Sequence, residues 1–233
     1  MGKTAVITGG SKGIGKETAV LFAKNGYNVA ICARDEPSLR KAADELTKTN
    51  KNIFYQKCDV SKSNDVTDFA ANTIKKFGSI DVLVNNAGIF DLALLGDTSE
   101  KMWDDMININ LKGMFLMTKE VLPVMLKNKK GHIINISSQA GKIAFPMDTA
   151  YGASKFGVVG FSRCLAEELK DTAIKVAIVY HGPVDTPLFD NVDKRKMAGF
   201  PPREAFLKPA AVADAVFGLV QKQSGYIEEV DVV

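Results

Sequence analysis

The sequence is poor in cysteine, has little net charge and lacks any long apolar run. Its three cysteines, Cys32, Cys58 and Cys164, form no CxxC pair. An odd, unpaired set favours reduced core thiols in the cytosol over a disulfide framework. The 30 basic and 27 acidic residues leave a net charge of +3. That balance gives no reason to expect nucleic acid or an anionic membrane as the partner.

Two further absences bear on location. No apolar run approaches the roughly 20 residues that a membrane span requires. The N-terminal residues enter a strand-like run directly, without the basic and then apolar pattern of a signal peptide. We therefore expect a cytoplasmic protein that acts on a small molecule, and no metal site is predicted.

Short apolar runs alternate with longer amphipathic runs along all 233 residues. Strands are predicted over 4–8, 28–33, 52–56, 80–84, 132–136, 174–180 and 226–230. After a helix that follows the first strand, further helices are predicted over 37–49, 65–77, 102–127, 150–169 and 210–222. This alternation indicates an α/β fold with a parallel sheet and helices on both faces. The length favours one doubly wound domain over 1–233.

The stretch 187–208 is the one irregular region. It follows the sixth predicted strand and carries three prolines and the basic run Lys194-Arg195-Lys196. Ligands of such sheets bind beyond the carboxyl ends of the strands, and long loops in compact domains are usually functional. We predict that 187–208 is a substrate lid; a solvated loop is the alternative.

A glycine-rich turn lies between the first strand and the first helix. It reads Thr8-Gly9-Gly10-Ser11-Lys12-Gly13-Ile14-Gly15. Glycines let backbone N–H groups approach a pyrophosphate, and the helix N-terminus adds its positive end. The three residues between Gly9 and Gly13 depart from the commonest fingerprint, and a flexible βα loop is the alternative. The predicted cofactor contacts here are Gly9, Ser11, Lys12, Gly13, Ile14 and Gly15.

The end of the second strand indicates which dinucleotide is preferred. A carboxylate there favours a ribose 2′-hydroxyl, whereas a guanidinium favours a 2′-phosphate. The strand ends in Ala33-Arg34, so Arg34 and Lys12 are predicted to bind the phosphate of NADP. Asp35 follows directly and complicates this interpretation, and Arg34 is alternatively a plain surface residue.

A catalytic constellation is formed by Ser138, Tyr151 and Lys155. The last two are four residues apart on a predicted helix and share a face, while Ser138 follows the fifth strand. A nearby ammonium is expected to lower the pKa of Tyr151 and make the phenol a usable acid or base. Ser138 can hold the substrate oxygen. Without the upstream turn, the Tyr-Lys pair would be interpreted as an ordinary surface pair.

These motifs resemble the short-chain dehydrogenase/reductase family over nearly the whole chain. The glycine turn matches its TGxxxGxG motif, Asn85-Asn86-Ala87-Gly88 its NNAG motif, and Asp59-Val60 its adenine-contacting pair. The resemblance implies a Rossmann-type three-layer sandwich with strand order 3-2-1-4-5-6-7. It adds one proton-relay residue and further cofactor contacts, with Lys155 also holding the nicotinamide ribose. The added relay residue is Asn110, and the added contacts are Asp59, Val60, Asn86, Ala87, Gly88, Val184 and Thr186.

Three departures from the family pattern qualify the resemblance. His181 stands where the family usually has proline, and it either caps the strand or faces the substrate. The family implies a homodimer or homotetramer with paired long helices, but the sequence ends soon after the last predicted strand, which puts a tetramer in doubt. The acidic Glu167-Glu168 pair replaces a basic patch that reductases of acyl carrier protein often carry.

The sequence thus predicts an NADP(H)-dependent oxidoreductase with Tyr151 as general acid/base, acting on a carbonyl or a secondary alcohol. A 3-oxoacyl thioester, a sugar or polyol, a small diketone and a pterin side chain remain open as substrates. The apolar residues near the expected pocket, including Phe90, Phe189 and Phe200, suit either a partly apolar pocket or the core. A non-catalytic NADP(H)-binding sensor or scaffold of the same fold is the alternative.

Overall fold

A single parallel sheet organises the chain. The computed structural model describes residues 2–190, 192–222 and 227–233. In this part of the chain seven strands lie in the order β3-β2-β1-β4-β5-β6-β7, which confirms the predicted topology. The strands are β1 (Thr4–Thr8), β2 (Asn28–Ala33), β3 (Ile53–Lys57), β4 (Val82–Asn85), β5 (Gly131–Ile136), β6 (Ile174–His181) and β7 (Ile227–Val232). Tyr226, the predicted start of the last strand, lies outside the described residues.

Helices cover both faces of the sheet, mostly where the periodicity predicts them. They are α1 (Gly13–Lys24), α2 (Glu36–Thr47), α3 (Ser63–Phe77), α4 (Glu100–Met106), α5 (Gly113–Asn128), α6 (Thr149–Leu169) and α7 (Pro209–Gln221). The single helix predicted over 102–127 is wrong in one respect, because a π-helix, Ile107–Lys112, separates α4 from α5. No described helix has the length and apolarity to cross a membrane.

The core explains why the central strands are apolar on both sides. Successive side chains of a strand point to opposite faces, and helices cover both faces of this sheet. Ile7 of β1 pairs with Ile31 and Val84 and packs in one core layer, while its neighbour Val6 packs in the other. Because the strands are parallel, the loops that follow β1, β2, β4, β5 and β6 meet at one edge of the sheet.

The predicted lid, 187–208, lies over that edge and contains more structure than predicted. It forms short 3-10 turns at Pro187–Phe189, Lys194–Met197 and Arg203–Ala205; Asn191 lies outside the described residues. Arg203 donates to Asp185 at 2.8 Å and to Asp190 at 2.7 Å, and it also reaches the carbonyl oxygen of Thr186. These bonds fasten the second half of the segment to Asp190 in its first half and to Asp185 and Thr186 just before it.

Candidate active site

The loop after β4 is hydrogen-bonded to the glycine turn and fixes its conformation. Gly9 adopts a φ of +68°, a conformation that favours glycine. The Thr8 hydroxyl accepts from the backbone N–H groups of Asn86 and Ala87, each at 3.0 Å. The side-chain amide of Asn86 donates to the carbonyl oxygens of Thr8 at 2.9 Å and Gly9 at 3.3 Å. Asn86 therefore fixes the backbone of the turn at Thr8 and Gly9.

Close packing at Gly15 completes the turn. A Cβ atom on Gly15 would overlap both the Asn86 amide and the Gly9 carbonyl oxygen. Lys12, the N-cap residue of α1, makes no side-chain capping bond. The first N–H groups of α1 are thus left for another acceptor, as an anion-binding helix N-terminus requires.

The charged end of the cavity carries Lys12, Arg34 and Asp35, with Val60 beside them. Asp35 accepts from the backbone N–H of Ser38 as the N-cap of α2 and lies 3.9 Å from Lys12. The hydrogen bonds with Ser38 lower the pKa of the Asp35 carboxyl, and Lys12 adds to this effect. The complicating carboxylate is thus engaged in capping a helix, while Arg34 remains exposed at the cavity.

Tyr151 and Lys155 lie on the inner face of α6, and each is only 6% exposed. Lys155 Nζ lies 5.5 Å from the centroid of the Tyr151 ring and donates to the Ile136 carbonyl oxygen at 2.9 Å. Ser138 follows β5, and its Oγ accepts from the N–H of Ala140; its side chain also acts on the Tyr151 phenol, whose pKa it lowers. The structure therefore brings these three predicted residues together.

Burial reverses one electrostatic prediction. It raises the pKa of Tyr151 above its ordinary value; the hydrogen bond with Ser138 lowers the pKa in part, and the charge of Asp148 raises it. The predicted lowering of the Tyr151 pKa by Lys155 is therefore wrong. Burial also lowers the pKa of Lys155 to about 8, so its ammonium group gives up its proton more readily. The phenol is a protonated group at neutral pH.

Asn110 is buried in the π-helix rather than in the cavity wall. Its amide donates to the Ile89 carbonyl oxygen and to Ser154 Oγ, each at 3.0 Å, and its Oδ1 accepts from the Ile89 N–H at 2.8 Å. π-Helical turns occur frequently at functional sites. Here the side chain is committed to the loop after β4, so any direct part in the relay falls to its backbone.

His181, Val184 and Thr186 lie where the chain leaves β6, and all three line the cavity. His181 ends the strand, and its Nδ1 lies 2.7 Å from the carbonyl oxygen of Gly182. That nitrogen must carry the proton in order to donate. Burial lowers the pKa of His181 to about 4, so the ring is neutral. His181 thus ends a strand and borders the cavity.

One cavity of about 710 Å³ joins these parts. The predicted residues that line it are Gly9, Ser11, Lys12, Gly13, Ile14, Arg34, Val60, Asn86, Ala87, Gly88, Tyr151, Lys155, Val184 and Thr186. Four others, Gly15, Asp59, Asn110 and Ser138, are not part of its lining. Asp59 instead binds the hydroxyl and N–H of Ser61.

The sequence analysis assigned no individual role to several supporting residues. A buried polar chain runs from Asn85 to Asn135 at 2.8 Å and on to Ser162 at 2.8 Å. Thr8 and Ser154 serve as acceptors for Asn86 and Asn110. The sequence signal for this buried chain is a polar residue, Asn85 or Asn135, in a strand whose neighbouring residues are aliphatic.

Comparison with known proteins decides the family. A sequence profile described as short chain dehydrogenase matches residues 3–197. This chain belongs to the short-chain dehydrogenase family. The predicted family and the predicted enzyme class, an oxidoreductase, are thereby confirmed.

Individual relatives resemble the chain over nearly its full length. The 3-oxoacyl-(acyl-carrier-protein) reductase FabG of Thermotoga maritima is 36% identical, with 97% of this chain and 93% of the relative covered. A hydroxy(phenyl)methylsuccinyl-CoA dehydrogenase subunit, BbsD of Thauera aromatica, is also 36% identical, with 97% and 92% covered. The crystal structure of a variant actinorhodin polyketide ketoreductase with NADPH is 32% identical, with a TM-score of 0.92 and coverage of 99% and 95%.

Proposed function

We propose that this short-chain dehydrogenase is an NADP(H)-dependent reductase of 3-oxoacyl thioesters, with Tyr151 as the general acid. The observation that carries the proposal is the buried Tyr151–Lys155 pair, with Lys155 Nζ 5.5 Å from the Tyr151 ring centroid, in the wall of the cavity that the glycine turn also lines. A proton donor and a site for a nucleotide phosphate thus share one space. The likeness to FabG supports the thioester substrate.

The residues present suit NADP(H). The cavity volume falls in the range of about 300–1,000 Å³ that is usual for ligand sites. The uncapped N-terminus of α1 suits the pyrophosphate, and Arg34 with Lys12 suits a 2′-phosphate. Ten further residues would contact the rest of the cofactor, and Gly15 and Asp59 would support these contacts without lining the cavity. The ten are Gly9, Ser11, Gly13, Ile14, Val60, Asn86, Ala87, Gly88, Val184 and Thr186. The bound nicotinamide would supply the hydride.

The chain's own residues would hold the substrate oxygen and supply its proton. Ser138 would donate a hydrogen bond to the carbonyl oxygen as negative charge develops there. Tyr151, kept protonated by its burial, would then transfer its proton to that oxygen. Lys155, buried beside the ring, would return a proton to the Tyr151 phenolate. Asn110 would keep the π-helix in place through its bond to Ser154.

The proposal predicts that NADPH is consumed when a soluble 3-oxoacyl thioester such as acetoacetyl-CoA is added. The acidic residues Glu167 and Glu168 are exposed at the end of α6. They do not suit an acidic carrier protein, so a free thioester is the first choice. Loss of reduced-nicotinamide absorbance measures the reaction. Turnover with a polyol or diketone but not with the thioester would contradict the substrate class.

The same assay separates the enzyme from the non-catalytic alternative. Calorimetry measures NADPH binding independently of turnover. Stoichiometric binding without consumption of NADPH by any carbonyl would favour a sensor or scaffold.

Arg34→Ala is expected to weaken NADPH binding about 10- to 100-fold and to leave NADH binding nearly unchanged. The lost charge-assisted hydrogen bond to a 2′-phosphate is worth about 1.5–3 kcal/mol, and NADH has no such phosphate. Calorimetric titration of both cofactors measures the difference.

Arg40→Ala is the matched control, because Arg40 is an exposed arginine on α2 that does not line the cavity. An equal loss of affinity for both cofactors in Arg34→Ala would remove the 2′-phosphate assignment.

We further propose one catalytic domain over 1–233, with 187–208 as the substrate lid, assembled as a homodimer or homotetramer. Phe115 of α5 and Phe156 of α6 are 42% and 47% exposed, which supports helix pairing between subunits.

A cytoplasmic location is supported by the free thiols of Cys32, Cys58 and Cys164. A hydrogen bond from Cys58, together with burial, raises the pKa of Cys32 and keeps it protonated.

A further inference from the structure

His181 is the last residue of β6, and the backbone around it is fixed from both sides. It pairs with Val232 of β7, and the N–H of the next residue, Gly182, donates to the Val232 carbonyl oxygen at 3.2 Å. One residue further on, the carbonyl oxygen of Pro183 accepts from the N–H of Leu207 at 2.9 Å. The His181 ring is therefore attached to a backbone that neighbouring segments hold in place.

The alternation of side chains along β6 defines the side of the sheet on which the imidazole lies. Val179 packs in the core layer that also contains Ile14 and Val184, whereas Tyr180 packs in a separate cluster with α6. Since successive side chains of a strand alternate, His181 points to the same face as Val179. Ile14, Val184 and His181 all line the large cavity. The ring therefore belongs to the wall that the glycine turn and the end of β6 form.

One ring nitrogen of His181 is used by the protein and the other is free. Nδ1 lies 2.7 Å from the carbonyl oxygen of Gly182, which can only accept, so Nδ1 carries a proton. Burial lowers the pKa of the ring to about 4, so there is no second proton at neutral pH. Nε2 is thus a hydrogen-bond acceptor, and it has no partner among the described residues. Unlike Nε2 of His132, it is not sealed from solvent, so it is open to the cavity.

A lone acceptor in this wall selects among the groups of the bound reactants. The carbonyl oxygens of a 3-oxoacyl thioester and the phosphates of the cofactor are acceptors themselves and gain nothing from Nε2. The ribose hydroxyls can donate as well as accept, and they can therefore pair with a donor such as Lys155. The nicotinamide carries an NH₂ group on its carboxamide, which only donates and requires an acceptor. This ring must lie at the Tyr151 end of the cavity, because its hydride and the Tyr151 proton go to the same carbonyl group.

We propose that Nε2 of His181 accepts a hydrogen bond from the carboxamide NH₂ group of the bound nicotinamide and so fixes the orientation of that ring. The inference rests on the proposed function for the binding of NADP(H), and it is independent of the substrate class. The proline that the family usually has at this position offers no side-chain acceptor. His181 thus gives this chain a cofactor contact that the usual residue cannot make.

His181→Phe is expected to weaken NADP⁺ binding about two- to tenfold, the usual net worth of one hydrogen bond. Phenylalanine keeps a planar ring in the wall and removes both nitrogens. Binding of 3-acetylpyridine adenine dinucleotide phosphate, in which a methyl ketone replaces the carboxamide, should stay the same, because this analogue has no NH₂ group. Calorimetric titration of the wild type and the variant with both ligands gives the four affinities.

His132→Phe is the matched control, because His132 is the other histidine of the chain and does not line the cavity. It should leave both affinities unchanged. An equal loss for NADP⁺ and the analogue in His181→Phe would overturn the proposal, since it would assign the effect to packing of the ring or to a ribose hydroxyl. Unchanged NADP⁺ affinity in His181→Phe would overturn it as well.

A second measurement keeps His181 in place and so does not depend on how His181→Phe folds. In ¹⁵N-histidine-labelled His132→Phe, His181 is the remaining histidine, and its unprotonated Nε2 resonates apart from the protonated Nδ1. Saturating NADP⁺ should move the Nε2 resonance to lower frequency, as accepting a hydrogen bond does, and the acetylpyridine analogue should move it less. Equal shifts would overturn the inference. The expected difference in a protein without turnover on any thioester would support the inference and contradict the proposed substrate class alone.

Discussion

Tyr151→Phe is expected to lower kcat for carbonyl reduction about 10³-fold and to leave NADPH affinity within about twofold. A positioned general acid typically contributes between about 10² and 10⁴ in rate. The phenylalanine ring still fills the buried position next to Phe90, whose ring centroid lies 4.8 Å from that of Tyr151. Only the hydroxyl group and its proton are lost. Single-turnover kinetics with calorimetric NADPH titration separates the chemical step from binding.

Tyr55→Phe provides the control for this variant. Tyr55 is 37% exposed on β3 and does not line the cavity, so the same loss of a hydroxyl should leave both kcat and NADPH affinity unchanged. Wild-type turnover in Tyr151→Phe would show that the proton comes from another group.

Gly15→Ala is expected to be the most damaging single-methyl change at the cofactor end. The new Cβ would overlap the Gly9 carbonyl oxygen and the Asn86 amide, so the turn itself must move. Overpacking of this kind costs about 1–3 kcal/mol. We expect a comparable fall in the free energy of unfolding and a loss of NADPH affinity of about tenfold to a hundredfold. Urea unfolding and calorimetry measure the two effects.

Gly160→Ala is the matched change in α6, where no atom apart from the neighbouring backbone of the helix itself lies within 4 Å of the added methyl group. Alanine has a higher helix propensity than glycine, so this variant should gain about 0.4–1 kcal/mol and bind NADPH normally. Normal cofactor binding by Gly15→Ala would show that the turn tolerates displacement.

Periodicity predicted the sheet well because the strands are buried on both faces and read as uninterrupted apolar runs. β1 and β2 begin and end at the predicted residues. The π-helix at 107–112 was not predictable in this way, because one wider turn barely changes the spacing of apolar residues along α4 and α5. Its side-chain contacts are tertiary, because Asn110 is bonded to the loop after β4 and to Ser154.

The composition of the site could be predicted, whereas its electrostatics could not. The motifs identified Tyr151 and Lys155, and the structure brings them together. The direction of the pKa shift depends on how completely the surrounding residues exclude water, and a sequence does not specify that.

Phe90 contacts both Tyr151 and the proposed lid, 187–208. Its ring contacts Tyr151 and also lies 5.2 Å from Phe189 and 6.3 Å from Phe200, centroid to centroid, and both of these residues belong to the lid. Displacing the lid would uncover this aromatic cluster and admit water beside Tyr151, which would relieve the desolvation that keeps the phenol protonated. The segment proposed as the substrate lid would therefore also exclude water from the proposed proton donor.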